Sequence, residues 1–171
     1  MIKNKTNIKV NLKEIRDIMK EYDPVKSVFK IYDCVKLYGF PPDSIWCDTW
    51  KIDDYLPILR IVDYQTLKDL DFEPESCGLR IKLRKPGTGV PVHKDPYENK
   101  YGEARFDDRP AHRWVVQCSD WKIGQFCQVE DEVITHWKIG DAYRLTKNDA
   151  HLAVNFSNFD RLLITLTGFT K

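Results

Sequence analysis

Hydrophobic and polar positions follow two different periods along the chain. In NLKEIRDIMKEYD, Leu12, Ile15, Ile18 and Met19 recur at intervals of three and four, the spacing of one helical face. Asn11 stands before them as an N-cap with Glu14 three residues on, so a helix is predicted to start there. DDYLPILRIVDYQTLKDLDFEPES predicts one or two more helices, interrupted near Pro57. The intervening DPVKSVFKIYDCVKLYGFPPD is ambiguous: Pro24 suits a first helical turn, and GFPPD is a breaker.

From Cys77 onward the period falls to two. GLRIKLRKPG alternates Leu79, Ile81 and Leu83 with Arg80, Lys82 and Arg84, the pattern of a strand buried on one face. VITHWKI alternates less cleanly, while HLAVNF and RLLITLTGF are almost continuously apolar or β-branched. The turn signals KPGTG, WKIGQ, KIGD, KND and SNFD separate these runs. Roughly seven or eight short strands in about 95 residues predict a sandwich or jelly roll. The expected organisation is a single domain, with a mixed, partly helical part over 1–76 and a mainly β core over 77–171.

Composition narrows the function classes. The 171 residues are 42% hydrophobic and 12% aromatic, which fits a globular chain able to bury a sizeable core. Formal net charge is +1 with the signs interspersed, so neither nucleic acid nor an anionic membrane surface is expected as a partner. No apolar run approaches the ~20 residues of a membrane-spanning helix. MIKNKTNIKVNLKEIRD has no continuous apolar stretch, so no secretory signal is expected. Five cysteines (Cys34, Cys47, Cys77, Cys118, Cys127) make an odd count without CxxC spacing. That argues for reduced, buried thiols in a cytoplasmic protein rather than disulfides or a zinc knot.

The candidate chemistry begins at His93 and Asp95. Two residues apart on a strand, they present an imidazole and a carboxylate to the same side, with Lys94 pointing away. On the later strand His151, Ala153 and Asn155 share one face and Leu152, Val154 and Phe156 the other. A polar face with a small residue at its middle suits the interior of a ligand-holding barrel. Two imidazoles and a carboxylate leaving positions open form the facial triad of non-haem Fe(II) oxygenases. Arg161 follows His151 by ten residues and opens the next strand, with Leu163, Thr165 and Thr167 on its face. One antiparallel turn is expected to set it beside the His151 strand, where a guanidinium suits capture of a carboxylate.

In this order, HxD, His and then Arg, the chain resembles the 2-oxoglutarate- and Fe(II)-dependent dioxygenases. RIKLRKPGTGVPVHKD and HWKIGDAYRLTKNDAHLAVNFSNFDRLLITLTG look like the aspartyl/asparaginyl β-hydroxylase branch. The resemblance covers roughly residues 79–169. It implies a double-stranded β-helix (jelly-roll, cupin-like) core, with iron held by His93, Asp95 and His151 and Arg161 on the distal carboxylate of 2-oxoglutarate. It also implies hydroxylation of an amino acid or a peptidyl side chain with O2 as co-reactant, the substrate being a small molecule or a peptide. Members often carry Arg-x-His after the first ligand, with that arginine on the cosubstrate's other carboxylate. Here HRWVVQ offers Arg113 without the histidine.

Two alternatives stay open from the residues. A cupin-like Zn enzyme with non-oxidative chemistry could use the same ligands, and a metal-free jelly-roll binding module needs only the barrel. His112 and His136 are expected to be structural or solvent-facing, and Trp114, Trp121 and Trp137 to be core. Asn155 is expected to orient a ligand or to serve as a structural amide. The long loop 96–112, with Tyr97, Tyr101, Arg105 and Arg109, reads as a lid or as a solvated connection.

Overall fold

The computed structural model describes residues 5–28, 46–95, 111–146 and 148–169. Along the chain run β1 (Lys5–Asn7), α1 (Leu12–Glu21), β2 (Val25–Val28), β3 (Trp46–Ile52), α2 (Tyr55–Ile61) and α3 (Tyr64–Asp69). After a 3₁₀ turn at Pro74–Ser76 come β4 (Gly78–Arg84), β5 (Thr88–His93), β6 (Ala111–Gln117) and β7 (Gln125–Val129). The last four are β8 (Glu132–Ile134), β9 (Asp141–Thr146), β10 (His151–Asn155) and β11 (Arg161–Phe169).

Helix α1 starts where its cap says it should: the Asn11 side chain accepts from the Glu14 backbone N–H at 3.2 Å. The DDYL segment does make two helices, but the break falls at Val62–Asp63 and not at Pro57. Pro57 lies in the first turn of α2, where no intrahelical N–H is required of it. Pro24 leads into strand β2 rather than a helix. The rest of that ambiguous segment, including Cys34, lies outside the described residues, as does 96–110 of the expected lid.

The strands form two antiparallel sheets. The larger has the order β1-β9-β6-β11-β4-β3-β2, the smaller β5-β10-β7-β8. From β4 onward the chain passes back and forth between them, which is the winding of a double-stranded β-helix. The fold is therefore mainly β, as the turn spacing predicted. Strands β1, β2 and β3 extend the larger sheet at its two edges, so the N-terminal part supplies strands as well as helices. Gly140, with φ +91°, turns the chain into β9. A Cβ there would stand 2.6 Å from the Ile8 carbonyl oxygen, so the close passage of the chain after β1 requires glycine.

The larger sheet has two buried faces. Leu79 and Ile81 of β4, Trp114 and Val116 of β6, and Ile164 and Leu166 of β11 pack with Ile15, Ile58 and Leu67 of the three helices. On the opposite face Val115, Tyr143, Leu145 and Leu163 meet Cys127 and Val129 of the smaller sheet. This corrects the reading of GLRIKLR. Its apolar side faces the helices, and its polar side, Lys82 and Arg84, lines the barrel interior.

Strand β5 contains a one-residue slip. His151 pairs with His93, yet Ala153 pairs with Val90, so Pro91 and Val92 together face one residue of β10. Such a bulge shifts the in–out alternation by one. Val90 and His93, three residues apart, consequently both line the barrel interior while Val92 is exposed.

Candidate metal centre

His93 closes β5, Asp95 follows it two residues past the strand rather than on it, and His151 opens β10; the three converge inside the barrel. One ligand atom from each lies within 4.8 Å of the other two. His93 Nε2 and His151 Nε2 each stand 3.5 Å from an oxygen of the Asp95 carboxylate. The two rings are 4.3 Å apart, tilted by 50°.

The other ring nitrogens fix the tautomers. His93 Nδ1 donates to the Pro91 carbonyl at 2.8 Å and His151 Nδ1 to the Asp149 carbonyl at 3.1 Å. A carbonyl only accepts, so the proton sits on Nδ1 and each Nε2 turns a lone pair toward the carboxylate. Burial also pushes the His151 imidazole down to about 4, which keeps it neutral near pH 7. Burial raises the Asp95 carboxyl, but contact with His93 and the charges of Arg113 and Lys82 outweigh it. The net effect holds Asp95 well below the usual carboxylate range. Two lone pairs and an ionised carboxylate facing one another are donors suited to a cation, and the set of two imidazoles and one carboxylate fits Fe(II) or Zn²⁺.

Arg113 supports the carboxylate. Its Nη1 pairs with Asp95 Oδ2, and its Nε donates to Thr167 Oγ1 at 2.9 Å. It thus lies beside the metal ligands, bridging β6 and β11.

Arg161 is 0% exposed and lines the same cleft, although not as expected. Strand β11 pairs with β4 and β6, so Arg161 faces the His151 strand from the opposite sheet instead of lying beside it. Its Nε and Nη2 donate to Gln117 Oε1, both at 3.3 Å, and Nη2 donates to Cys127 Sγ at 2.8 Å. The guanidinium carbon stands 4.3 Å from the Trp137 ring centre. Sequence reading missed all three of these partners, because they come from β6, β7 and the segment before β9. It also missed Lys82 and Arg84, which line the cleft with Arg113 and Arg161. The one signal for them was the polar half of the β4 alternation, read as facing water.

The remaining candidates are structural. Asn155 donates to the Arg84 and Phe159 carbonyls at 2.9 and 2.8 Å and accepts from Ser157, so it braces the turn into β11. His112 is buried, stacked on Phe72 at 4.4 Å, with Nε2 donating to the Leu70 carbonyl. His136 is exposed and stacks on Trp121. Trp114 and Trp137 are buried. Cys47, Cys77, Cys118 and Cys127 are free thiols. Among the described residues no helix is long and apolar enough to cross a membrane.

No protein family and no curated protein matches the sequence. Solved structures of related shape share little sequence with it. A protein from Photorhabdus luminescens is 11% identical, covering 71% of this chain and 74% of its own, with a TM-score of 0.43. A cupin protein from Bacteroides fragilis is 16% identical over 55% of this chain and 66% of its own, at a TM-score of 0.40. A Klebsiella pneumoniae protein with a double-stranded β-helix domain is 13% identical over 56% and 76%, at 0.39. Likenesses this distant add nothing to what the strand pairing shows: a double-stranded β-helix with two imidazoles and a carboxylate gathered in its interior.

Proposed function

We propose that the protein is a 2-oxoglutarate- and Fe(II)-dependent dioxygenase that hydroxylates an amino acid or a peptidyl side chain. One observation carries this reading. The cation site of His93, Asp95 and His151 opens on a cleft that also holds the buried guanidinium of Arg161. Among the described residues lining that cleft Asp95 is the only carboxylate, and Arg113 pairs with it. A metal site and an unneutralised buried cation in one cleft suit a ligand that chelates with one end and carries a carboxylate at the other.

Fe(II) bound with 2-oxoglutarate and O2 would supply oxidative decarboxylation of the cosubstrate to succinate, coupled to insertion of an oxygen atom into a substrate C–H bond. The chain's own part is positional. Pro91 and Asp149 carbonyls hold the two rings, Arg113 holds the carboxylate of Asp95, and Arg161 supplies buried positive charge for the distal carboxylate of the cosubstrate. Val115, Leu145 and Leu163 wall the cleft with apolar surface that limits water. The substrate class comes from the resemblance of residues 79–169 to the aspartyl/asparaginyl β-hydroxylase branch.

Anaerobic addition of 2-oxoglutarate to the Fe(II)-loaded protein tests the reading. A visible metal-to-ligand charge-transfer band is expected, followed by succinate release on admitting air. Metal binding with neither band nor succinate would overturn it and leave non-oxidative Zn chemistry of the cupin kind.

A further inference from the structure

Arg84 is the group in the cleft whose chemistry remains unused. It is 4% exposed, and among the described residues its Nε and Nη1 have no hydrogen-bond partner. On β4 it pairs in register with Arg161 of β11, so the two side chains leave neighbouring strands on the same face. Both line the cleft. Like charges placed directly opposite destabilise a sheet, and burial lowers the Arg84 pKa without depriving an arginine of its proton. Two adjacent buried guanidiniums therefore call for an anion. Among the described residues of the cleft there is no second carboxylate to serve. Arg161 has spent most of its donors on Gln117 and Cys127, whereas Arg84 keeps two nitrogens to give.

We infer that Arg84 is the principal grip of an anion subsite, taking the far carboxylate of a small dicarboxylate while Arg161 stands behind it as a fixed positive charge. This rests on reading the cleft as a dicarboxylate site, and it moves the main contact from β11 to β4. Lys82, two residues before Arg84 on the same face, adds to the positive lining.

The test is calorimetric titration of the anaerobic Fe(II)-loaded protein with 2-oxoglutarate and with 2-oxopentanoate, which chelates equally but lacks the far carboxylate. Arg84→Met keeps the apolar stem and removes the charge. It should weaken 2-oxoglutarate by at least about 30-fold, the loss expected for a buried charge pair, and leave 2-oxopentanoate unchanged. Ligand-free Arg84→Met should melt no lower than wild type, because a buried charge without a partner is lost. Undiminished 2-oxoglutarate affinity in Arg84→Met would overturn the inference and leave the dioxygenase reading standing. A clearly lower melting temperature would also overturn it, by showing that Arg84 is neutralised within the fold. If wild type ignores 2-oxoglutarate but binds succinate or glutarate through Arg84, the dioxygenase reading falls and the anion subsite is supported.

Discussion

His112 is a fully buried histidine held by a stack on Phe72 and a hydrogen bond to the Leu70 carbonyl. Burial, and then the nearby charge of Arg144, lower its pKa to about 4 from an ordinary 6.5. Between those values the unfolded chain binds a proton that the folded protein refuses, so stability rises with pH across this window. Acidification from pH 7 to 4 should therefore cost about 3 kcal/mol through this residue alone. His112→Phe keeps the stack on Phe72. It also leaves the Leu70 carbonyl paired, because Trp114 Nε1 donates to the same oxygen at 3.0 Å. Urea titrations at several pH values should find the variant's stability flatter between pH 6.5 and 4 by that amount. Equal slopes for the two proteins would mean that His112 takes up its proton without unfolding. The gathering of His93, Asp95 and His151 was legible at this scale from residue type and spacing, although Asp95 lies two residues past the end of β5 rather than on it. The partners of Arg161 were not, because Gln117, Cys127 and Trp137 are brought to it by strand pairing across distant parts of the chain.

Strand β11 carries different demands on its two faces. Leu166 points into the helix-covered core with 0% exposure, and Leu166→Ala should cost about 2–5 kcal/mol. Its neighbour Thr165 points into the barrel, where its buried hydroxyl has no hydrogen-bond partner among the described residues. Thr165→Val should therefore leave stability unchanged or raise it by up to about 1 kcal/mol. Chemical denaturation midpoints of the two variants check both; a destabilised Thr165→Val would show that its hydroxyl is satisfied after all. The same two faces explain the misreading of β4. Alternation says that a strand has an apolar and a polar side, but not which side meets water. Helices α1, α2 and α3 claim the apolar side, so the arginine and lysine side becomes the interior. The amphipathic helices were visible in the sequence; that they pack on this sheet was not.

At the scale of the whole molecule the candidate metal site joins β5 and β10, two strands of the smaller sheet, while Arg113 ties it to the larger one. A cation bound there adds its binding energy to folding, about 2.7 kcal/mol at a hundredfold excess over Kd. For a chain of this size that should raise the melting temperature by roughly 5–10 °C. Thermal melts with and without Fe(II) under anaerobic conditions should show the rise in wild type and lose it in His93→Ala. An equal rise in both would remove His93 from the site. The slip in β5 bears on how such a site is kept or lost. Because a strand has two sides, each residue gained or lost between Val90 and His93 exchanges inside for outside. Chain length at Pro91–Val92, rather than the identity of any ligand, decides whether the imidazole and carboxylate meet a cation or bulk water. A barrel of the same lineage could keep every donor in its sequence and still have its chemistry switched off by a single-codon deletion.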